Sequence, residues 1–301
     1  MTLLDRAIVR MLPAVPKPVV QLFSSRYIAG STVDEAVEVV RTLNGEEKLA
    51  TIDVLGEEIT RERDARAIAQ AYCDVFTAIE RERLDSNVSV KLTALGLNLS
   101  YELCRENLES VLREAATSGN FVRIDMEDST TTSDTLRLYR ELRESGIDNV
   151  GVVLQAYLRR TLDDIRALAD LKPSVRICKG IYVESPSIAF SAFDDVRANY
   201  VRSLDALLEA GAYVAIATHD EWLIGQALER VAGLTTNEYE FQMLLGVRRE
   251  RAGELVAAGH RLRIYVPFGE HWYQYSLRRL QENPAMAGTI AKATVGRVFG
   301  R

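Results

Sequence analysis

LATIDVLGEEITRERDARAIAQAYCDVFTAIERERLDSNVSVKL, residues 49–92, reads as a strand, a helix and a second strand. It opens on the aliphatic and β-branched run Leu49–Val54 and closes on another at 87–92. Between them Ala65, Ile68, Ala69, Tyr72, Val75, Phe76 and Ile79 recur at spacings of three and four, the period of an amphipathic helix. Two strands joined by such a crossover pair in parallel, because a tight hairpin cannot connect parallel neighbours.

The same alternation continues outward. Further runs of strand character lie at 121–126, 150–157, 175–178, 213–218, 239–244 and 261–267, which makes eight, with stretches of helical period between them. The expected class is therefore α/β, and eight such units close into one TIM-type (βα)8 barrel. A helix over 33–43, with Val33, Ala36, Val37 and Val40 on one face, precedes the first strand. An open doubly wound sheet is the alternative, but no G-x-G-x-x-G follows the first strand and no P-loop occurs. No low-complexity linker divides the chain, so residues 1–301 read as one domain. Its parts are an N-terminal helical segment (1–47), the barrel (48–284) and a C-terminal helical tail (285–301).

Composition excludes several function classes. The 301 residues carry 37 basic and 43 acidic side chains, a net charge of −6, with 47% hydrophobic residues. That balance gives no basic footprint for nucleic acid. Cys73, Cys104 and Cys178 lie far apart, against both a disulfide framework and a structural zinc site, and no metal is expected. Asp5, Arg6 and Arg10 interrupt the apolar N-terminus and Pro13, Pro16 and Pro18 follow, so neither a signal sequence nor a spanning helix is read there. A cytoplasmic protein is expected, with peripheral membrane contact left open.

Barrel chemistry collects at the C-terminal ends of the strands. The polar residues there are Asp53, Lys91, Asp125, Glu127, Asp128, Gln155, Arg176, Lys179, Thr218, His219, Asp220, Gln242 and Tyr265. Any one of them can simply mark a strand emerging into a polar loop. Lys91 stands out, because it sits among Val88, Val90 and Leu92 and a buried ammonium needs a partner or a ligand.

The last strand leads into RIYVPFGEHWYQYSLRRLQENP, residues 263–284, where a helix is expected over about 270–283. Tyr275, Arg278, Arg279 and Glu282 share one face of it; Tyr273, Ser276, Leu277 and Leu280 share the other. Adjacent guanidinium groups repel unless an anion lies beside them, and Glu282 balances only one. A carboxylate or phosphate suits the second, and Tyr275 adds a flat apolar face. A solvated helix with an Arg278–Glu282 pair is the plainer alternative.

With this helix in view, the chain resembles the proline dehydrogenase family, flavin enzymes that oxidise L-proline to 1-pyrroline-5-carboxylate. The likeness runs through KLATIDVLGE, SVKLTALG, RIDMED, VLQAYLRRT, VRICKGIY, ATHDE, YEFQMLLG and the closing RRLQENP, in that order. The resemblance implies a distorted barrel whose eighth helix lies over the strand ends. It implies that Arg278, Arg279 and Lys91 hold the proline carboxylate, that Glu282 orients the arginines, and that Tyr265, Tyr275 and Leu244 pack around the ring. Asp125 and Tyr182 become catalytic candidates, with Lys91 and Arg176. FAD would be contacted by Met126, Gln155, Arg176, Lys179, Gly180, Ile181, Thr218 and His219. Hydride would pass from proline C5 to flavin N5, electrons would go on to a quinone, and the product would pass to a separate pyrroline-5-carboxylate dehydrogenase. One departure is Val183, where some bacterial members carry a tryptophan or a charged residue.

Other readings stay open from the residues alone. Lys91 or Lys179 on a barrel strand also fits a Schiff-base lyase of the aldolase type. A barrel that only binds a carboxylate is a second. A metal hydrolase is weaker, since His219, His260 and His271 form no H-x-H or H-E-x-x-H pair. His260, at the other end of the barrel, is expected on the ordinary surface.

Overall fold

In a computed structural model, the structure describes residues 26–56, 59–270, 272, 273 and 276. Among the described residues helix α1 (Val33–Gly45) comes first, then β1 (Leu49–Val54), α2 (Glu62–Glu82), β2 (Ser86–Val90), α3 (Tyr101–Thr117) and β3 (Val122–Ile124). The chain continues through α4 (Ser129–Glu144), β4 (Val150–Gln155), α5 (Thr161–Leu168) and β5 (Ser174–Cys178). It closes with α6 (Phe193–Glu209), β6 (Tyr213–Ala217), α7 (Glu221–Val231), β7 (Tyr239–Leu244), α8 (Arg249–Ala257) and β8 (Leu262–Phe268). The eight strands form a closed barrel in chain order, every neighbouring pair parallel, with β8 returning to β1. The TIM-type barrel read from the alternation is thus the fold, with strand bounds displaced by at most two residues.

Strand side chains alternate between the bore and the helical sheath. Ala50 and Ile52, Val88 and Val90, Val122 and Ile124, and Ile264 and Val266 are buried and belong to the hydrophobic core. The intervening set is polar: Thr51 and Asp53, Ser89, Arg123, Arg176, Glu240 and Gln242, and Arg263. Arg176 on β5 reaches Ser89 on β2 and Gln242 on β7, and Arg123 on β3 reaches Ser174 on β5, bonds between non-neighbouring strands that place this face in the bore.

Helix α1 begins with a reciprocal cap between Thr32 and Glu35 and buries Ala36, Val37, Val40 and Leu43. It packs on β1 and β8 together. In a regular barrel each strand is followed by a helix of the outer ring, so that outer place would fall to the helix after β8. Here the helix before β1 takes it. Beyond β8, Trp272, Tyr273 and Ser276 are helical, and Ser276 Oγ donates to the Trp272 carbonyl at 2.6 Å. Tyr275, Arg278, Arg279, Glu282 and the tail 285–301 lie outside the described residues.

Candidate active site

The upper bore holds a connected set of charged and polar groups from six strands or their ends, β1, β2, β3, β5, β7 and β8. Lys91, just past β2, places Nζ 2.6 Å from Asp53 Oδ2 and 3.7 Å from Asp125 Oδ2, and donates to the Tyr265 hydroxyl at 3.2 Å. Tyr265 in turn donates to Asp125 Oδ2 at 2.9 Å. Arg176 reaches from β5 to Asp125 Oδ1 at 2.7 Å and to Ser89 Oγ at 3.0 Å, and its Nε donates to Gln242. Ser89 also donates to Asp125 Oδ1 at 3.0 Å. Both oxygens of Asp125 are therefore engaged, and four expected site residues, Lys91, Asp125, Arg176 and Tyr265, meet in one network.

Burial disfavours the Lys91 ammonium, but Asp53 and then Asp125 outweigh it and hold its pKa above the ordinary lysine value. The opposite balance governs Glu127: burial raises its carboxyl above the usual range even though Thr93 donates its backbone N–H and hydroxyl to it. Lys91 and Arg176 are thus matched by Asp53 and Asp125, which leaves little net charge among the described upper-bore groups.

Below this layer the polarity continues. Arg263 Nε donates to Glu240 Oε1 at 2.8 Å and its Nη1 to the Ala50 carbonyl at 2.6 Å, while Gln242 also donates to Glu240. Arg123 donates to the Ser174 carbonyl at 2.6 Å and the Ser174 hydroxyl at 2.9 Å. Sequence reasoning gave no role to Ser89, Arg123, Glu240 or Arg263. Their signal is polar residues at spacing two inside apolar strands: Thr51 and Asp53, Ser89 and Lys91, Arg123 and Asp125, Glu240 and Gln242, Arg263 and Tyr265. At the same end, His260 is only partly exposed, packs on Phe241 with ring centroids 5.4 Å apart and hydrogen-bonds Tyr239 OH at 2.8 Å. It is half-buried against the sheath-facing side chains of β7, which corrects the surface assignment.

The expected cofactor residues lie on or just past β3, β4, β5 and β6. Gln155 donates to the Met126 carbonyl at 3.1 Å, while its buried Oε1 has no partner among the described residues. An orphan acceptor on β4, the strand next to the one that carries Arg176, fits a flat heterocycle that offers an N–H and gains negative charge on reduction. Lys179 lies 3.4 Å from Asp220, and Arg197 grips both oxygens of Asp220 at 2.9 and 2.7 Å. Burial works against the Asp220 carboxylate, yet Arg197 and Lys179 overcome it and lower its pKa. Two cations against one carboxylate leave positive charge at the end of β5, which suits phosphate oxygens. His219 Nε2 accepts the Leu244 N–H at 2.9 Å, so in the neutral ring Nδ1 bears the proton. Thr218 Oγ1 accepts the Asp220 N–H at 3.1 Å.

Gly180 begins the β5–α6 loop with φ +99°, and a Cβ there would meet the Tyr157 ring at 2.1 Å. The loop after it is strapped down, with Glu184 accepting from the Ser129 N–H and hydroxyl at 2.7 Å each. Between anchor and strap, Ile181 and Tyr182 are exposed and Val183 stands wholly in solvent. A loop that only glycine can open beside the Tyr157 ring, an orphan acceptor and local positive charge together fit a flavin nucleotide.

Comparison with known proteins identifies the family. The family model described as proline dehydrogenase matches residues 36–292. Proline dehydrogenase 1 of Bacillus subtilis is 39% identical over 274 residues, 90% of each chain. Proline dehydrogenase of Deinococcus radiodurans is 34% identical, with 89% of each chain covered. Among solved structures, proline utilization A from Bdellovibrio bacteriovorus, inactivated by N-propargylglycine, superposes with a TM-score of 0.83 at 25% identity. That match covers 92% of this chain and 36% of the larger protein. From its barrel, its polar bore and these relatives, this chain belongs to the proline dehydrogenase family.

Proposed function

We propose that the chain oxidises L-proline to 1-pyrroline-5-carboxylate, the first step of proline catabolism to glutamate, with FAD as its prosthetic group. The observation that carries the reading is the junction of Lys91, Asp125, Arg176 and Tyr265 in one network at the mouth of a barrel of this family. The chemistry supplied by bound FAD is acceptance at N5 of a hydride from proline C5. Everything else is positioning by the protein.

Lys91 faces the substrate carboxylate, but its charge is already matched by Asp53, so further cations are required for an anionic ligand. Arg278 and Arg279, oriented by Glu282, supply them in this reading. Tyr265, Tyr275 and Leu244 form the walls around the pyrrolidine ring. Asp125, with both oxygens occupied, fixes Tyr265 and Arg176 rather than serving as a mobile base. Tyr182 stands at the loop edge as the remaining catalytic candidate. Met126, Gln155, Arg176, Lys179, Gly180, Ile181, Thr218 and His219 would hold FAD, with Arg176 beside the ring and Lys179 at the phosphates.

The same reading extends to the partners. Electrons go to a quinone, which brings a cytoplasmic enzyme to the membrane surface at least transiently; no described helix is long and apolar enough to cross a membrane. The product passes to a separate pyrroline-5-carboxylate dehydrogenase. One domain spans the chain, with a helical lead of 1–47, the barrel over 48–284 and a helical tail over 285–301. A Schiff-base lyase is less well supported, because Lys91 and Lys179 are each paired with a carboxylate and a Schiff-base lysine must lose its proton. The test is a visible spectrum of the purified protein followed by anaerobic addition of L-proline. Bleaching of the flavin band is expected. A flavin band that L-proline leaves unchanged overturns the proposal.

A further inference from the structure

Asp53 is fully buried, and its two carboxylate oxygens are held from opposite layers of the protein. Oδ2 takes the Lys91 ammonium at 2.6 Å from the bore. Oδ1 takes the Tyr72 hydroxyl at 3.1 Å from helix α2 of the outer sheath. We propose that Tyr72 is a positioning residue for the substrate-binding Lys91 and acts on it through Asp53. The inference rests on the reading of Lys91 as part of the carboxylate grip.

Tyr72 has no exposed surface and lies on the buried stripe of α2 with Ala69, Val75 and Phe76. Phenylalanine would fill that place as well, so packing does not account for the hydroxyl, and a buried hydroxyl needs a partner. The hydroxyl also stays neutral at any working pH. Burial above all, with the charges of Asp53 and Asp125 behind it, pushes its pKa well above the ordinary tyrosine value. It therefore remains a donor, and of its two acceptors Asp53 Oδ1 at 3.1 Å is nearer than the Val54 carbonyl at 3.5 Å.

A carboxylate held by a donor on each oxygen cannot turn about its own axis. Without Tyr72 the Asp53 carboxylate turns, and Lys91 has a second anion waiting, since Asp125 Oδ2 is 3.7 Å from Nζ. A shift toward Asp125 brings the ammonium into competition with the Tyr265 hydroxyl for the same oxygen. Substrate affinity should suffer first, because the chemistry at the flavin side depends on Arg176 and its own partners.

The experiment compares Tyr72→Phe with the wild type as holoenzyme, alone and combined with Lys91→Met. Loss of one hydrogen bond to a charged group predicts a rise in the proline KM of roughly tenfold. Flavin content, visible spectrum and kcat at saturating proline should stay within about twofold. Calorimetry with cyclopentanecarboxylate, an acid that cannot be oxidised in the same way, should show the same weakening of Kd. In the Lys91→Met background Tyr72→Phe should add nothing, as expected of residues acting in series. An unchanged KM and Kd in Tyr72→Phe overturns the inference, and so does an equal effect in both backgrounds. Failure of proline to reduce the wild-type flavin is the separate sign that the functional reading itself is wrong.

Discussion

The Lys91 ammonium and the fully buried Asp53 carboxylate form an ion pair of 2.6 Å across the β1–β2 seam, and this pair sets how the site responds to mutation and to pH. Lys91→Met leaves the carboxylate buried without its counter-charge. Such a removal costs about 3–5 kcal/mol, so a lower Tm is expected together with a higher proline KM. Because the folded lysine pKa is raised, the pair stabilises fully below the unfolded value of about 10.4 and weakens only as the pH rises through the higher folded value. Thermal melts up to pH 9 should show no loss attributable to this pair; a difference from Lys91→Met that fades below that pH would contradict the assignment.

Arg278→Met and Arg176→Ala should separate substrate from cofactor. The first is expected to raise the proline KM strongly, on the order of 2–5 kcal/mol in binding, while flavin content stays normal. The second removes the guanidinium shared by Asp125, Ser89 and Gln242 and should lower flavin retention or its rate of reduction first. Steady-state kinetics and the ratio of flavin to protein absorbance distinguish them; loss of flavin in Arg278→Met with unchanged KM would reverse the roles.

Gly180→Ala should disable the β5–α6 loop. The backbone there has φ +99°, and the new methyl would lie 2.1 Å from the Tyr157 ring, which is itself buried. Strain of this kind is worth about 1–3 kcal/mol, and its relief must displace Ile181 and Tyr182. A drop in flavin content and turnover is expected, with a modest fall in Tm. Normal flavin binding in the variant would mean that the cradle is not used.

Glu127→Gln should stabilise the protein at neutral pH. Burial raises the folded pKa of Glu127, so the native state holds its proton more tightly than the unfolded chain. Stability therefore falls as the pH rises from the unfolded value of about 4.3 through the folded one, and the penalty is complete above it. The amide carries no such penalty and can still meet the Thr93 N–H and hydroxyl. The gain in Tm should be present at pH 7 and shrink toward pH 4; a gain independent of pH would point to packing instead.

The barrel was legible because its strands combine an apolar outer face with helical crossovers, and a period of two followed by a period near four survives without any contact information. Lys91 was legible for a related reason, since a charge among valines must be answered by something. Its answer, Asp53, was visible only as one strand-end acid among several, because no spacing links residues 38 apart in the chain. Tyr72 was hidden more thoroughly: at a buried helical position a tyrosine reads as bulk, and only the three-dimensional seam shows where its hydroxyl goes. The strand-end residues are only the upper part of the polar bore, and Arg123, Glu240 and Arg263, to which no role was given, continue it downward at the same spacing of two. Tyr275, Arg278, Arg279 and Glu282 rest on the regularity of their helical face and on the family likeness.

Helix α1 gives the ring of helices its closing stave, although it is made before any strand of the barrel. A version of the protein trimmed back to Lys48 would strip the cover from Ala50 and Ile52 and bare a greasy seam where the first and last strands meet. Such a protein should clump rather than merely work poorly. The residues that look most like a dispensable leader are thus the ones that let the cylinder shut.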